Sequence, residues 1–340
     1  MKERSAMNPY PLLLEPTFHE RIWGGTALAD LFGYALPSPL IGECWAVSAH
    51  PNGPSVVKNG PLAGKTLLDV WAAYRSWFGP LAADRFPLLV KLIDANDDLS
   101  VQVHPDDAYA RAHEGGEPGK SECWLILKAA PGASLVYGHT ATTREELAAH
   151  IQRGEWDRLL TRVPVKPGDF LYVPSGTVHA IGKGIVLLEV QQNSDVTYRL
   201  YDYDRRDASG RPRPLHVDKA LDVVTVPACV PVVAPAVRHC PGATVTRYVR
   251  TRHFAVERWT VHGTAALDAV RTAFAALSLL DGACLVRWRG GELLLRKGDH
   301  ALVPVLEGGA ELVGRADVVV AYPGKAEEAA LEAAAGRAPD

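Results

Sequence analysis

Three residues far apart along the chain, His104, Glu122 and His179, carry side chains that could grip a divalent cation, and an amide, Gln102, stands two positions before the first. His104 falls in LSVQVHPDD (99–107), a run in which apolar and polar residues alternate. As a strand, this run points Val101 and Val103 to one face and Ser100, Gln102 and His104 to the other. Glu122 lies in GKSECW (119–124), where Lys120 and Glu122 share a face at the start of a strand. His179 closes PSGTVH (174–179), a turn whose Gly176 can adopt backbone angles unfavourable for other residues. Two imidazoles and a carboxylate, with an amide oxygen nearby, suit Zn²⁺ with one coordination position left open, whereas closed structural sites mostly use thiolates. Singly, each residue has an ordinary reading: a surface histidine, a solvated carboxylate, a hydrogen-bonded turn histidine. Their combination is what points to a metal.

The elements that must position these groups are mostly strands. The 30 glycines and 25 prolines separate many short runs rich in Val, Leu, Ile and aromatic residues, such as 55–58, 87–94, 99–104, 123–128, 169–173, 185–191 and 283–287. That pattern predicts a mainly β architecture, a sandwich or barrel. Helical signals are fewer. Residues 66–78 have apolar spacing that suits a helix and stop at Gly79-Pro80. Residues 143–160 open with Thr143 and Glu146 in capping-box spacing, and Gly154 divides them into two short helices. Residues 264–276 are alanine-rich and do not fit a strand, and the Ala/Glu tail cannot build a core. Three prolines within 226–237 favour an extended connector, which places a boundary near residue 235.

One repeat bears on domain organisation. GDFLYVP (168–174) recurs as GDHALVP (298–304), each reading as a turn, a strand and a closing proline. The second copy has Leu306 where the first has Gly176, and Gly309 where the first has His179. It keeps the strand and loses the metal-binding turn.

Composition narrows the function classes. The 340 residues carry 36 Lys+Arg against 39 Asp+Glu, a formal charge of −3 that leaves no electrostatic footprint for nucleic acid or an anionic membrane. No run approaches the roughly 18 apolar residues of a membrane span, and residues 1–10 lack the apolar core of a secretory signal. The five cysteines have no C-x-x-C spacing, which suits reduced thiols and a cytoplasmic location.

The turn around His179 satisfies G-x5-P-x-G-x2-H through Gly168, Pro174, Gly176 and His179, the second motif of the cupins. In the first motif, Gln102-x-His104 replaces the paired histidines and Glu122 follows after a longer insertion. The runs ERIWGG (20–25), GECWAVSAHPNG (42–53), FPLLVKLIDANDDLSVQVHPDD (86–107), GKSECW (119–124) and VPSGTVHAIGKGIVLLEVQQNSDVTYRLYDYDR (173–205) resemble the type I mannose-6-phosphate isomerases, in their short bacterial form. The resemblance is most specific over residues 10–225. It implies two cupin-like jelly-roll units with a few helices inserted or appended: residues 1–235 a catalytic metal-binding domain, 236–325 a second cupin-like domain without metal, and 326–340 a tail. It further implies interconversion of mannose 6-phosphate and fructose 6-phosphate through an enediol or enediolate, with one Zn²⁺ per chain on His104, Glu122 and His179 and Gln102 as a fourth ligand.

The same resemblance places Glu189 and Arg199, ten positions apart, at the reaction centre, and assigns Ser100 and Lys120 to the substrate phosphate. Arg205 stands where longer relatives carry a phosphate-binding lysine; its neighbours Asp202, Asp204, Arg206 and Asp207 equally suit a solvated charge run. Glu189 and Arg199 also fit a salt bridge between neighbouring strands. Lys91 interrupts the apolar run LLVKLI (88–93) and is a candidate proton carrier, or a partner of Glu122 or Asp94. The expected partner is a small hexose phosphate, with no nucleic acid or membrane, and no oligomeric state is specified. Two other functions share the fold, a metal-dependent cupin oxygenase and a non-catalytic sugar-binding cupin. Lys120 and Arg199, suited to phosphate and enediolate, weigh against the first, and the intact ligand set weighs against the second.

Overall fold

The computed structural model describes residues 7–81, 83–206 and 209–324; the Ala/Glu tail lies outside them. Among the described residues, strands form three sheets. A six-stranded sheet runs in the order Phe170–Val173, Glu122–Ala129, Ile185–Gln192, Leu88–Ala95, Ile41–Ser48, Thr17–Gly25. A five-stranded sheet runs Tyr198–Tyr201, Val101–Val103, His179–Ile181, Ser134–His139, Leu160–Pro164. The ten-stranded sheet is built mainly from residues beyond 235, but Leu12–Glu15 pairs with His300–Val303 and carries Val56–Val57 on its other side. The chain's first strand is therefore part of the C-terminal sheet. No helix among the described residues is long and apolar enough to cross a membrane.

Alternation along the six-stranded sheet divides its two faces. Cys44, Val90, Leu92, Cys123, Leu125, Leu188 and Val190 join one buried cluster with Phe254, Val256, Leu302 and Val319 of the ten-stranded sheet. The intervening residues point the other way, toward the five-stranded sheet. On that inner side Ile93, Trp124, Ile126 and Leu187 pack against Leu135, Tyr137 and Ile181, while Lys91 and Glu189 are cross-strand partners. The interior of this sandwich is thus apolar in one part and polar in another. The outer face of the five-stranded sheet is closed by Val101, Val103 and Val136 packing on Leu147, Leu159 and Ala220 from three helices. All five cysteines are free thiols, and Cys44, Cys123 and Cys284 are buried.

The helices follow their caps. Thr66 accepts from Asp69 N and Asp69 accepts from Thr66 N, a complete capping box. The helix covers Leu67–Ala73 and then tightens into the 3₁₀ turn Arg75–Phe78 before Gly79. Residues 143–160 form two helices, Arg144–Gln152 and Trp156–Leu159. There Thr143 Oγ1 accepts from Glu146 N, but the Glu146 carboxylate turns back to Thr142, so only half of the expected box exists. Residues 264–276 correct the sequence reading. Thr264–Leu267 is a strand on Ala310–Pro323, followed by a 3₁₀ turn and then by the strand that begins at Ala275. Alanine is a weak strand former by propensity, but Ala265 and Leu267 alternate into the core, and burial overrides the preference.

The two copies of the repeat adopt the same turn. Gly168 and Gly298 have φ of 92° and 86°, and the carboxylates of Asp169 and Asp299 accept from Lys166 N and Arg296 N. The following strands diverge in role. In the second copy His300 is buried and its Nδ1 lies 2.9 Å from Ser278 Oγ, while its Nε2 lies 2.9 Å from the Tyr34 hydroxyl. Because that hydroxyl donates to Gly298 O, it accepts from His300 Nε2. Burial pushes the His300 pKa down to about 3. Its contribution to stability is therefore complete above the unfolded value of about 6.5 and is lost as pH falls toward 3. His300→Ala is expected to lower the melting temperature at pH 7, with bound metal per chain unchanged, and to flatten the loss of stability between pH 6 and 4. Calorimetry with elemental analysis checks both.

Candidate metal centre

The facing sheets bring the ligand candidates together. His179 opens its strand in register with Gln102 on the neighbouring one, and His104 stands one residue past the end of Val101–Val103. Glu122 opens its own strand on the opposite sheet, between Val173 and Gln191. The local chain holds these positions closely. Gly176, at φ 79°, donates its N–H to His104 O and ties the His179 turn to the His104 segment. Ser121, between Lys120 and Glu122, donates its N–H to Gln192 Oε1, and its Oγ accepts from Ser175 N.

His104, Glu122 and His179 are each only 1% exposed, and their ligand atoms lie within 4.8 Å of one another. His104 Nε2 is 3.5 Å from Glu122 Oε2, and His179 Nε2 is 3.2 Å from Glu122 Oε1. Both rings are oriented from behind: His104 Nδ1 donates to Val196 O at 2.9 Å and His179 Nδ1 to Thr177 O at 2.8 Å. Burial pushes His104 well below the ordinary imidazole range and His179 down to about 4, so both rings are neutral at pH 7. With Nδ1 carrying the proton, each Nε2 presents a lone pair to the lone pairs of a carboxylate.

Neither Glu122 oxygen accepts a well-directed hydrogen bond. Lys120 Nζ lies 3.1 Å from both Glu122 Oε2 and His104 Nε2 and offsets part of this charge. The contact between His179 Nε2 and Oε1 has no cation beside it, and Oε1 accepts no hydrogen bond. A buried set of facing acceptors with so few donors is costly in an apolar interior, and a divalent cation between the three groups removes the conflict. The backbone carbonyls that fix the two tautomers are the outer support that metal-bound histidines use. Gln102 as placed directs its amide nitrogen at His179 Nε2, 3.3 Å away; ligation through oxygen requires a half-turn of the amide, an orientation assigned from hydrogen bonding.

A cavity of about 350 Å³ adjoins the cluster and is lined by Lys91, Ser100, Gln102, Lys120, Glu189 and Arg199, all residues singled out from the sequence. Lys91 pairs with Glu189 at 3.4 Å and with Glu43 at 3.7 Å, rather than with Glu122 or Asp94. Sequence reading missed Glu43 although it sits in the quoted run GECWAV, since its face was not assigned. Burial alone would raise the Glu43 pKa, but Lys91 and Arg21 hold its carboxylate far below the usual range. Glu189 accepts from Trp124 Nε1 at 2.9 Å, and its Oε2 accepts no hydrogen bond. Burial and then Glu122 push its pKa up. Trp124 also meets the His179 ring edge-on and so braces both groups.

Arg199 forms no bridge to Glu189. Its Nε donates to Ser100 Oγ at 3.3 Å and its Nη1 to Pro214 O at 2.8 Å. Arg205 does not line this cavity; its guanidinium bonds Asp202 and the carbonyl of Asp98. Arg213, which the sequence gave no reason to choose, lines it instead.

Comparisons with known proteins cover most of the chain. Residues 12–127 match the family profile of the phosphomannose isomerase type I catalytic domain, and residues 244–323 that of the mannose-6-phosphate isomerase cupin domain. The chain is 51% identical over 318 residues to mannose-6-phosphate isomerase ManA of Bacillus subtilis, covering 93% of this chain and 100% of the relative. The chain belongs to the type I mannose-6-phosphate isomerase family. The Streptococcus mutans mannose-6-phosphate isomerase is 49% identical over 86% of this chain and 92% of its own. The crystal structure of the mannose 6-phosphate isomerase from Bacillus subtilis superposes with a TM-score of 0.88 at 47% identity, covering 92% of this chain and 99% of that one. The mainly β, cupin-type fold expected from the sequence therefore holds.

The donor arrangement predicts how stability responds to metal. Chelation is expected to lower the melting temperature of the wild-type protein, by the equivalent of about 4 kcal/mol where free metal had been a thousandfold above Kd. Glu122→Gln relieves the facing lone pairs and weakens the site, so its melting temperature should shift little with chelator. Scanning calorimetry with and without chelator checks this, and an unchanged wild-type melt would remove the metal from the account.

Proposed function

We propose that this chain is a zinc-dependent aldose–ketose isomerase that interconverts mannose 6-phosphate and fructose 6-phosphate through an enediol or enediolate. The observation that supports this best is the neutral imidazole pair facing a buried carboxylate, beside a cavity with Lys91, Lys120 and Arg199 in its wall. The two imidazoles and a carboxylate are a donor set typical of zinc with an open position. His104, Glu122 and His179 would hold the ion, with Gln102 as fourth ligand after its amide turns. When bound, the ion supplies Lewis-acid polarisation of the sugar oxygens.

The chain's own residues account for the rest of the reaction. Aldose–ketose exchange moves a proton between C1 and C2, and a buried group whose pKa approaches neutrality serves that best. Glu189, raised by burial, with one oxygen held by Trp124 and the other facing Lys91, can accept and return a proton. Lys91, ion-paired to it at 3.4 Å, keeps that carboxylate in place and forms the other half of a proton-handling pair. Arg199 sets a fixed positive charge beside Gln102, its cross-strand neighbour, where it can stabilise negative charge developing on oxygen. Ser100 and Lys120 offer donors to the substrate phosphate, and the walls of the two sheets limit access of water. The free thiols fit a reducing, cytoplasmic setting.

Elemental analysis of the purified protein is expected to give about one zinc per chain, and a coupled assay to give turnover of mannose 6-phosphate. His104→Ala and His179→Ala should lose metal and activity together. Arg199→Ala should keep the metal while kcat falls about 10²–10³-fold, the usual effect of removing one such electrostatic donor. Iron in place of zinc, or zinc-loaded protein without turnover on any hexose 6-phosphate, would refute the assignment.

A further inference from the structure

The sequence offers Arg205 as the second cation for a substrate phosphate, but the structure gives each nitrogen of that guanidinium a partner. Its Nε donates to Asp202 O, its Nη2 to Asp202 Oδ1 at 2.7 Å, and its Nη1 to Asp98 O. Arg213 also binds Asp202, through Nε to Oδ2 at 2.8 Å and Nη2 to Oδ1 at 2.5 Å. This bidentate grip leaves Nη1 of Arg213 with no partner among the described residues, and Arg213 lines the cavity beside the metal ligands whereas Arg205 does not. Asp202 is only 5% exposed, so the carboxylate that fixes both guanidiniums is itself fixed. Burial alone would raise its pKa, but Arg213 and Arg205 hold it below the usual carboxylate range.

The backbone brings Arg213 to Arg199. Arg199 Nη1 donates to the carbonyl of Pro214, the next residue after Arg213; His216 N donates to Arg199 O, and Arg199 N to His216 Nδ1. Three bonds therefore stitch residues 214–216 along the Arg199 position. Burial and the nearby Arg213 both disfavour the Arg199 charge. Two guanidiniums converge on one cavity, and Asp202 is committed as a bidentate partner to only one of them. A dianion held by Arg213 relieves their repulsion, and planar guanidinium forks match phosphate oxygens well.

We infer that Arg213 joins Ser100 and Lys120 in gripping the phosphate of the sugar, and that Asp202 is the positioning residue that aims Arg213 while Arg205 braces Asp202. The inference rests on the isomerase reading for the identity of the sugar. The geometry by itself specifies a phosphate monoester or inorganic phosphate.

The test compares Arg213→Gln, Arg213→Lys, Arg205→Gln and Asp202→Asn in the metal-loaded protein, with melting temperatures to confirm folding. Losing a hydrogen bond to a charged group corresponds to about a tenfold to hundredfold weakening. Arg213→Gln should raise KM for mannose 6-phosphate by that factor and weaken competitive inhibition by inorganic phosphate in parallel, with kcat changed less than threefold. Arg213→Lys should restore part of the loss. Arg205→Gln and Asp202→Asn should raise KM by smaller factors. Unchanged KM and phosphate inhibition in folded Arg213→Gln would overturn the inference, as would a larger effect from Arg205→Gln. If the wild type does not turn over mannose 6-phosphate, calorimetric binding of inorganic phosphate still decides the question. Binding lost in Arg213→Gln would uphold the anion site while the isomerase reading falls.

Discussion

The structure turns on an electrostatic conflict across the gap between two sheets. His104 and His179 present unprotonated nitrogens to the two carboxylate oxygens of Glu122 at 3.5 and 3.2 Å, where almost no water reaches to dilute the repulsion. Backbone carbonyls of Val196 and Thr177 fix the proton on the far side of each ring, so tautomer exchange offers no relief. Lys120 offsets one edge, and at the other only the neutral amide of Gln102 faces His179. A cation is the group that converts this arrangement from a cost into a binding site.

Everything around the cluster acts to keep the two sheets at that spacing. Trp124 lies between His179 and Glu189 and touches both, so the ligand and the proposed proton carrier share one brace. Below them Ile93, Leu187, Leu135 and Ile181 form an apolar layer that closes the sandwich on one side of the polar groups. On the far face of the six-stranded sheet, the ten-stranded sheet supplies the opposing apolar wall through Phe254, Val256, Leu302 and Val319. The C-terminal half therefore contributes to the site without lending it a ligand. It buries the back of the sheet whose front carries Glu43, Lys91, Glu189 and Glu122. The return of Leu12–Glu15 to that distant sheet binds the two halves into one packing unit.

The charges within the cavity form a graded series. Glu43 is held strongly ionised by Arg21 and Lys91, Glu189 is pushed toward its neutral form by burial, and the guanidiniums of Arg199 and Arg213 stand at the other lining positions. Carboxylates in one small space thus have environments that push their proton affinities apart, the condition under which one can carry protons while the other stays a fixed charge.

The sequence alone determined what local pattern can determine. Alternation in LSVQVH separated Val101 and Val103 from Ser100, Gln102 and His104, because a strand has only two faces. The turn glycine and spacing around His179 marked a candidate ligand, and the Gly-Asp turn before residues 170 and 300 was legible twice because its hydrogen bonds span three residues. Capping residues located the helices for the same reason, and alanine content misled at 264–267, where burial decided. What tertiary structure decided was partnership. Lys91 is equally able to reach Glu122, Asp94, Glu189 or Glu43 from its sequence, and only strand order and register selected the last two. Arg205 and Arg213 are alike in type, and only the fold gives every nitrogen of Arg205 a partner on Asp202 or Asp98 while Asp202 takes two nitrogens of Arg213, which lines the cavity. Side-chain type and spacing are local properties, whereas the choice among equivalent charged partners depends on distances that exist only once the sheets have packed.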